Sequence, residues 1–242
     1  MFLKSSIVLN AKNLIGWRTK RKIVVISVDD YGNVRLDSKK ARQNLDHAGI
    51  KARFRFDAYD TLETRSDLEL LYETLASVKD KNGRHAIFTP FALPCNINFE
   101  KMAENEYEKY EYELLPETYQ KLSVLQPDAY SGTWKLWKEG IEKGLMVPQF
   151  HGREHLNLKV FEEKLEQQDL EVIENLKNRS YTAISDSGYN TISPYAAFDF
   201  WEFSENNRFG EIIRDGLITF QSVFGYHAKH FMSPGGRENS II

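Results

Sequence analysis

The chain has 242 residues and a formal net charge of -3, with 41% hydrophobic, 28% charged and 13% aromatic residues. This length suits a single α/β domain, and the composition is that of a globular protein with a buried core, which excludes the disordered and collagen-like classes. The slightly acidic charge gives no broad basic field, so we expect no nucleic acid partner.

Two features of the sequence bear on the cellular compartment. Cys95 is the only cysteine, so no disulfide can form within the chain. Residues 1–17 interrupt their apolar positions with lysines and asparagines, unlike the continuous apolar stretch of a secretory signal. No segment reaches the length of a membrane span. We therefore expect a cytoplasmic protein if the natural chain begins at Met1.

Short β-rich runs alternate with longer helical stretches, a pattern typical of parallel strands joined by helices. The predicted strands are residues 22–28, 52–58, 85–91, 145–150 and 228–232. The predicted helices are residues 38–48, 66–78, 133–143, 156–176 and 209–224. The first strand is apolar and β-branched throughout, as expected of a strand covered on both faces. A tyrosine-rich acidic stretch around 104–113 is predicted as a loop or short helices, and the aromatic segment 181–203 as a surface loop over a site.

Two adjacent aspartates, Asp29 and Asp30, follow the first predicted strand. In parallel α/β barrels this end of a strand is where loops assemble active sites. Neighbouring carboxylates repel each other, so a site that keeps both generally offers a cation to one and a polar partner or a proton to the other. The alternative is a plain turn, because Asp-Asp-Tyr-Gly-Asn is also a favourable turn sequence.

Two histidines, His151 and His155, follow another predicted strand at the start of a predicted helix. Side chains four residues apart on a helix share a face and can bind one ion together. With Asp30 they form a set of two imidazoles and one carboxylate, which leaves a coordination position free for water, as in catalytic zinc sites. We predict a divalent metal, most simply zinc, at these residues, with Asp29 as the general base of a hydrolase.

Three segments resemble the motifs of the polysaccharide deacetylase family (NodB-type, carbohydrate esterase family 4). They are residues 26–32 (ISVDDYG), 151–155 (HGREH) and 224–236. In that family the first aspartate of the pair is the base, the second is a metal ligand, and the two histidines bind the same metal. The resemblance spans nearly the whole chain.

The resemblance implies a distorted (β/α) barrel of about seven strands, formed by residues 1–242 as a single domain. It also implies metal-dependent removal of acetyl groups from N-acetylated or O-acetylated carbohydrate. The residues expected to contact the substrate are Tyr31, Pro234, Gly235 and Arg237.

Two positions depart from the family pattern. Met232 stands where the third motif carries an arginine that orients the base, and Arg237 is close enough in sequence to substitute for it. The family's acid histidine comes from a later strand, whereas this chain ends six residues after Gly236. The chain is therefore a fragment or open barrel, which we prefer, or it recruits another acid such as His227 or His230, or it is a non-catalytic relative.

Other interpretations remain open at the level of sequence. A glycosyltransferase could use Asp29 and Asp30 to hold a metal-bound nucleotide sugar, although this leaves the histidines unexplained. A carbohydrate-binding or scaffold protein is the alternative without enzymatic activity. Arg153 and Glu154 are expected to form ion pairs behind the metal or at the surface, although Arg153 could meet a substrate carboxylate. The sequence leaves the oligomeric state undetermined.

Overall fold

The computed structural model describes residues 11, 16, 18–186 and 192–238. In this part of the chain the fold is mixed α/β. The strands are β1 (Ser27–Tyr31), β2 (Thr89–Ala92), β3 (Cys95–Ile97), β4 (Tyr112–Leu114) and β5 (Gln149–Phe150). The α-helices are α1 (Lys39–His47), α2 (Arg55–Tyr59), α3 (Arg65–Ser77), α4 (Phe99–Glu104), α5 (Leu115–Leu125), α6 (Pro127–Tyr130), α7 (Thr133–Glu142), α8 (Leu158–Glu166), α9 (Leu170–Lys177) and α10 (Asn206–Phe224). The prediction for residues 1–17 falls mostly outside the described residues.

A parallel sheet forms the centre of the described fold. Its strands lie in the order β1, β2, β5, and both pairings are parallel. Single parallel bridges extend it, joining Phe88 to Met146 and Phe150 to Phe231. Strands β3 and β4 form a separate antiparallel pair. Because the strands of the first sheet are parallel, the segments that follow β1 and β5 meet at the same edge.

The sheet does not close into the expected barrel of about seven strands within the described residues. The strand predicted at 52–58 is wrong, because this segment contains helix α2. The carboxylate of Asp57 accepts the backbone N–H groups of Arg53 at 2.9 Å and Phe54 at 3.2 Å. These hydrogen bonds stabilise the first helical turn. Local capping thus outweighs the β-like pattern of this segment.

The first strand also differs from its prediction. Strand β1 begins at Ser27, and the preceding residues 23–26 lie outside it, with Val24 85% exposed. Strand β2 begins at Thr89, which pairs with Ser27. The N–H of Thr89 still donates to the carbonyl of Ile26 at 2.9 Å, but no described strand pairs with residues 23–25. The prediction that this apolar run is covered on both faces is wrong, because its side chains are exposed.

The other predicted strands are shorter than expected. The segments 85–91 and 145–150 contribute only β2 and β5, and 228–232 contributes a single bridge at Phe231. The stretch around 104–113 connects α4 to β4, in agreement with its prediction as a loop or short helices. Apolar composition predicted the positions of β1, β2 and β5, but it did not predict β3 and β4. The lengths of the strands depend on which residues find a pairing partner.

The helix predictions are largely confirmed. Helices α1, α3, α7 and α10 match their predicted limits to within three residues. Ser38 caps α1 by accepting the N–H of Ala41 at 3.1 Å. The single helix predicted at 156–176 is instead two helices, because Gln168 adopts a φ of 51° and Asp169 caps the second one. None of the helices in the described ranges is long and apolar enough to cross a membrane.

An aromatic cluster packs against the sheet near the end of β1. Trp137 is fully buried and donates its indole N–H to the hydroxyl of Tyr119 at 2.9 Å. The ring of Tyr31 lies 5.0 Å from that of Phe88 and 6.1 Å from that of Trp137. These contacts hold Tyr31, the last residue of β1, against helices α5 and α7. They therefore also position Asp30, which directly precedes Tyr31.

The segment 181–203 was predicted as a surface loop over a site. Residues 187–191 lie outside the described residues, and the rest is irregular up to a short 3-10 turn at Phe203–Glu205. Tyr181 and Phe198 are nevertheless buried. The irregular backbone was predicted correctly, but these two aromatic side chains belong to the core rather than to the surface.

Candidate metal centre

Asp30 occupies an irregular position in β1. The register of β1 against β2 shifts between Val28 and Tyr31, which marks a bulge. At the bulge Asp30 adopts a φ of 64°, in the left-handed region that aspartate tolerates better than most residues. Non-glycine residues in this region cluster at functional sites. The bulge therefore gives Asp30 a backbone conformation that a regular strand would not provide.

The two histidines lie in a loop and not on a helix. The N–H of His151 donates to the carbonyl of Ala92 in β2 at 3.2 Å, so the backbone of His151 continues the sheet. Gly152 then adopts a φ of 111°, and α8 begins only at Leu158. The predicted helical spacing was wrong as a reason for pairing the histidines, since the curvature of the loop brings them together. Their ring centroids are 5.4 Å apart.

The three side chains converge on one point. The Oδ1 atom of Asp30 lies 2.9 Å from Nε2 of His151 and 2.9 Å from Nε2 of His155. One ligand atom from each residue lies within 4.8 Å of the others. Both imidazoles are buried, while the carboxylate is about one-third exposed. This group could hold a metal ion that remains open to solvent on one side.

The hydrogen-bond partners of the two His151 ring nitrogens indicate whether a cation fits between His151 and Asp30. Its Nδ1 lies 2.8 Å from the carbonyl oxygen of Met232, which can only accept, so Nδ1 carries a proton. In the neutral ring Nε2 then holds a lone pair, and it faces a carboxylate oxygen of Asp30 that also only accepts. Two facing acceptors require a cation between them, which is either a second ring proton or a metal ion. The donor set therefore fits a bound metal.

The hydrogen bonding of His155 also bears on whether the site could hold a metal. Its Nδ1 is buried and has no hydrogen-bond partner within the described ranges, while its Nε2 faces Asp30. Buried imidazole nitrogens are normally satisfied. The ring is therefore held by packing and by the contact of its Nε2 atom.

The charge state of Asp30 is set by its neighbours. Burial by itself raises the pKa of this carboxyl group, but hydrogen bonds and charges from His151 and His155 outweigh it. The resulting pKa lies well below the ordinary value of 3.8. Asp30 is therefore a carboxylate across the physiological range, as a metal ligand must be.

Asp29, the predicted base, is exposed, and its side chain makes no hydrogen bond or ion pair with any described residue. Nothing in the described part of the chain orients its carboxylate. The role of Asp29 as base stays a prediction.

The predicted substrate residues fall into different environments. The ring of Tyr31 packs in the aromatic cluster described above. Pro234 is buried against the histidine loop, where a Cβ at Gly152 would lie 3.1 Å from its Cγ. Gly235 has a φ of 70° and leaves no room for a side chain beside Ala196, whose Cα would lie 3.0 Å from an added Cβ. Pro234 and Gly235 thus shape the backbone next to the histidines.

Arg237 is exposed, and its backbone carbonyl accepts a hydrogen bond from the Ser233 hydroxyl. No contact of its side chain with Asp29 is present in the described structure. The substrate roles of Tyr31, Pro234, Gly235 and Arg237 stay predictions.

Sequence reasoning missed a second carboxylate, that of Asp60, which interacts electrostatically with the candidate metal ligands. Asp60 forms an ion pair with Arg35 at 3.4 Å, and the Arg35 guanidinium lies 4.8 Å from the centre of the Tyr195 ring. Burial raises the pKa of Asp60 above its ordinary value, although the neighbouring Arg35 lowers it. The charge of Asp30 raises this pKa further and that of His155 lowers it, so Asp60 interacts electrostatically with two of the candidate metal ligands. No motif could have revealed this pair, because Arg35 and Asp60 come from separate irregular segments.

No family model and no curated protein matches the sequence. Among solved structures, that of IcaB from Ammonifex degensii is similar at 13% identity, with 90% of this chain and 76% of that chain covered and a TM-score of 0.31. A superposition this loose does not show a common fold. The candidate function therefore rests on the residues of the metal centre and on the sequence motifs.

Proposed function

We propose that this protein is a metal-dependent hydrolase that removes acetyl groups from N-acetylated or O-acetylated carbohydrate. The observation that carries the proposal is the convergence of Asp30, His151 and His155 on one point at the edge of the sheet. The carbohydrate class comes from the resemblance of the motifs containing these residues to those of the polysaccharide deacetylases.

The ion we propose is zinc. Two imidazoles and one carboxylate are the ligands of several catalytic zinc sites, in which a fourth position stays open. A zinc ion in this group would supply activation of water and polarisation of an acyl carbonyl. Asp30, His151 and His155 would hold that ion, the first with a partly exposed carboxylate and the other two with buried imidazoles.

A general base must accept the proton of the attacking water. We propose Asp29 for this role, since it directly precedes the ligand Asp30 and its carboxylate is free to face solvent. Asp60 is the alternative, because its carboxylate is already oriented by Arg35 and is influenced by the charges of Asp30 and His155. Exchanging each carboxylate for its amide distinguishes the two.

A second candidate function is carbohydrate binding without catalysis. The observation that favours it is the lack of any described partner for the side chain of Asp29, together with Met232 where the family has its orienting arginine. Such a protein would bind acetylated sugar and release no acetate.

The test combines metal analysis with product release. Protein purified without added metal is analysed for zinc, and acetate release is measured on a panel of N-acetylated and O-acetylated oligosaccharides. We expect bound zinc and acetate release in the wild type, and neither in the double variant His151→Ala/His155→Ala. An unchanged metal content in that variant would contradict the site, and zinc with sugar binding but no acetate release would favour the second candidate.

A further inference from the structure

Between the two histidines lie a positive and a negative side chain that form a buried ion pair. The Nε atom of Arg153 donates to Oε2 of Glu154 at 2.6 Å, and its Nη2 atom donates to Oε1 at 3.1 Å. The two side chains are 10% and 4% exposed. A bidentate pair between neighbouring residues fixes the direction of both side chains, and with them the backbone that joins His151 to His155.

The pair is anchored to the rest of the molecule. A second nitrogen of Arg153, Nη1, donates to Asp215 of α10 at 2.8 Å, and the guanidinium lies 4.3 Å from the centre of the Tyr112 ring. The hydroxyl of Tyr110 donates to Glu154 at 3.1 Å. The histidine loop is therefore tied to α10 and to the segment around β4 by side chains that are themselves not metal ligands.

Close packing on α10 supports the same arrangement. A Cβ added to Gly216 would lie 2.8 Å from Cζ of Phe150 and 3.0 Å from Cβ of Arg153. Helix α10 thus approaches the base of the loop so closely that only glycine fits. The position of Arg153 is set by backbone packing as well as by charge.

Burial of an arginine and a glutamate costs desolvation free energy that can exceed the attraction between their charges. Such a pair is therefore weak evidence of a contribution to stability. Two backbone hydrogen bonds join the loop from His151 to Leu156 to neighbouring strands: the N–H of His151 donates to Ala92 at 3.2 Å, and the carbonyl of Arg153 accepts the N–H of Cys95 at 3.2 Å. The loop has no helical hydrogen bonds, so side-chain contacts, including the ion pair, must supply the rest of its conformation. A role in geometry explains the charges better than a role in stability.

We propose that Arg153 and Glu154 are positioning residues that hold His151 and His155 in the convergent geometry needed to bind a divalent ion. This inference rests on the proposed metal site. The ion pair sets metal affinity by keeping the two imidazoles together before the metal arrives. Loss of such outer contacts typically weakens metal binding about 10–100-fold.

The test removes both charges at once, because removal of one leaves the other buried without a partner. In Arg153→Met/Glu154→Gln the side chains keep a similar volume, and the glutamine can still accept from Tyr110. Zinc affinity is measured by competition with a chelator, and the metal-free protein is unfolded by heat. We expect zinc affinity to fall about 10–100-fold, with the melting temperature of the metal-free protein little changed.

A matched control is available on the neighbouring surface. Arg208 pairs with Glu162 at 2.6 Å between α10 and α8, and this pair is not in the histidine loop. Arg208→Met/Glu162→Gln should bind zinc with wild-type affinity. The absorption spectrum of bound cobalt(II), which reports ligand geometry, should change in the loop variant and stay constant in the control.

Gly216→Ala is a second test variant, which disturbs the packing around Arg153 and leaves the charges of the ion pair in place. The added methyl group must displace Phe150 or Arg153, so zinc affinity should fall here also. Wild-type zinc affinity in the folded double variant would overturn the proposal. If that variant does not fold, unchanged affinity in Gly216→Ala would overturn it instead.

Failure of the proposed reaction gives a different result. A wild-type protein that binds zinc but releases no acetate contradicts the deacetylase function and leaves the positioning role intact. A wild-type protein that binds neither zinc nor cobalt contradicts both.

Discussion

The Oδ1 atom of Asp30 lies 2.9 Å from the Nε2 atom of His151, although 121 residues separate the two in the chain. The contact exists because β1 and β5 both run parallel to β2 and end at the same edge of the sheet. The bulge in β1 and the loop after β5 then turn the two side chains toward each other. The convergence of these candidate metal ligands is therefore a property of the tertiary fold.

Zinc should stabilise the folded protein through His155. A ligand that binds only the native state at about 100 times its Kd raises the free energy of unfolding by about 2.7 kcal/mol. We expect this increase in the wild type and its loss in His155→Ala, measured by urea unfolding with and without zinc. His47→Ala, at the end of α1, is the control and should keep the full increase. Equal stabilisation of all three proteins would contradict the assignment of His155 as a ligand.

Exchange of the carboxylates should identify the base. If Asp29 accepts the proton, Asp29→Asn should lower kcat/KM for acetate release about 10²–10⁴-fold while zinc content stays constant. Asp60→Asn should then have a much smaller effect. A larger loss in Asp60→Asn than in Asp29→Asn would transfer the role to Asp60 and its partner Arg35.

A side chain at Gly152 should distort the histidine loop. Gly152 has a φ of 111°, and an added Cβ would lie 3.1 Å from Cγ of Pro234. We expect Gly152→Ala to lower the free energy of unfolding by about 1–3 kcal/mol and to weaken zinc binding. Gly144→Ala is the control, because its φ is also positive, at 67°, but its Cβ would meet nothing within 4 Å. Gly144→Ala should lower the free energy of unfolding by about 1 kcal/mol and leave zinc binding unchanged.

Glu63 should make stability depend on pH. Burial, with a further contribution from the charge of Asp60, raises its pKa from 4.5 to about 7, against hydrogen bonds from the N–H of Gly32 and the hydroxyl of Tyr119. The native state therefore keeps a proton that the unfolded chain has lost. The stability from this proton is fully present below about pH 4.5 and declines as pH rises to about 7.

Urea unfolding of the wild type and of Glu63→Gln at pH 5 and pH 8 measures this effect. The amide resembles the protonated acid, so the variant should lose less stability than the wild type between the two pH values, by about 2 kcal/mol. The same loss in both proteins would show that Glu63 does not hold the proton.

The helices were predictable because their signals are local. The cap at Ser38, the apolar periodicity of α3 and the stop at Gly225 each act within a few residues. Residues 52–58 show the limit of this reasoning. Their apolar pattern favours a strand, yet Asp57 caps a helix there and also accepts a hydrogen bond from Thr182, far away in the chain. A contact at that distance has no trace in a local pattern.

The sequence by itself determined which residues could bind a metal ion, because carboxylates and imidazoles have the required chemistry and Asp30, His151 and His155 follow apolar strand-like segments. Only the tertiary structure decided how they meet. The helical spacing expected of the two histidines was replaced by a loop, held by Arg153 and Glu154 against α10. Parallel strand pairing and long-range side-chain contacts set that geometry, and both depend on residues that are distant in the chain and adjacent only after folding.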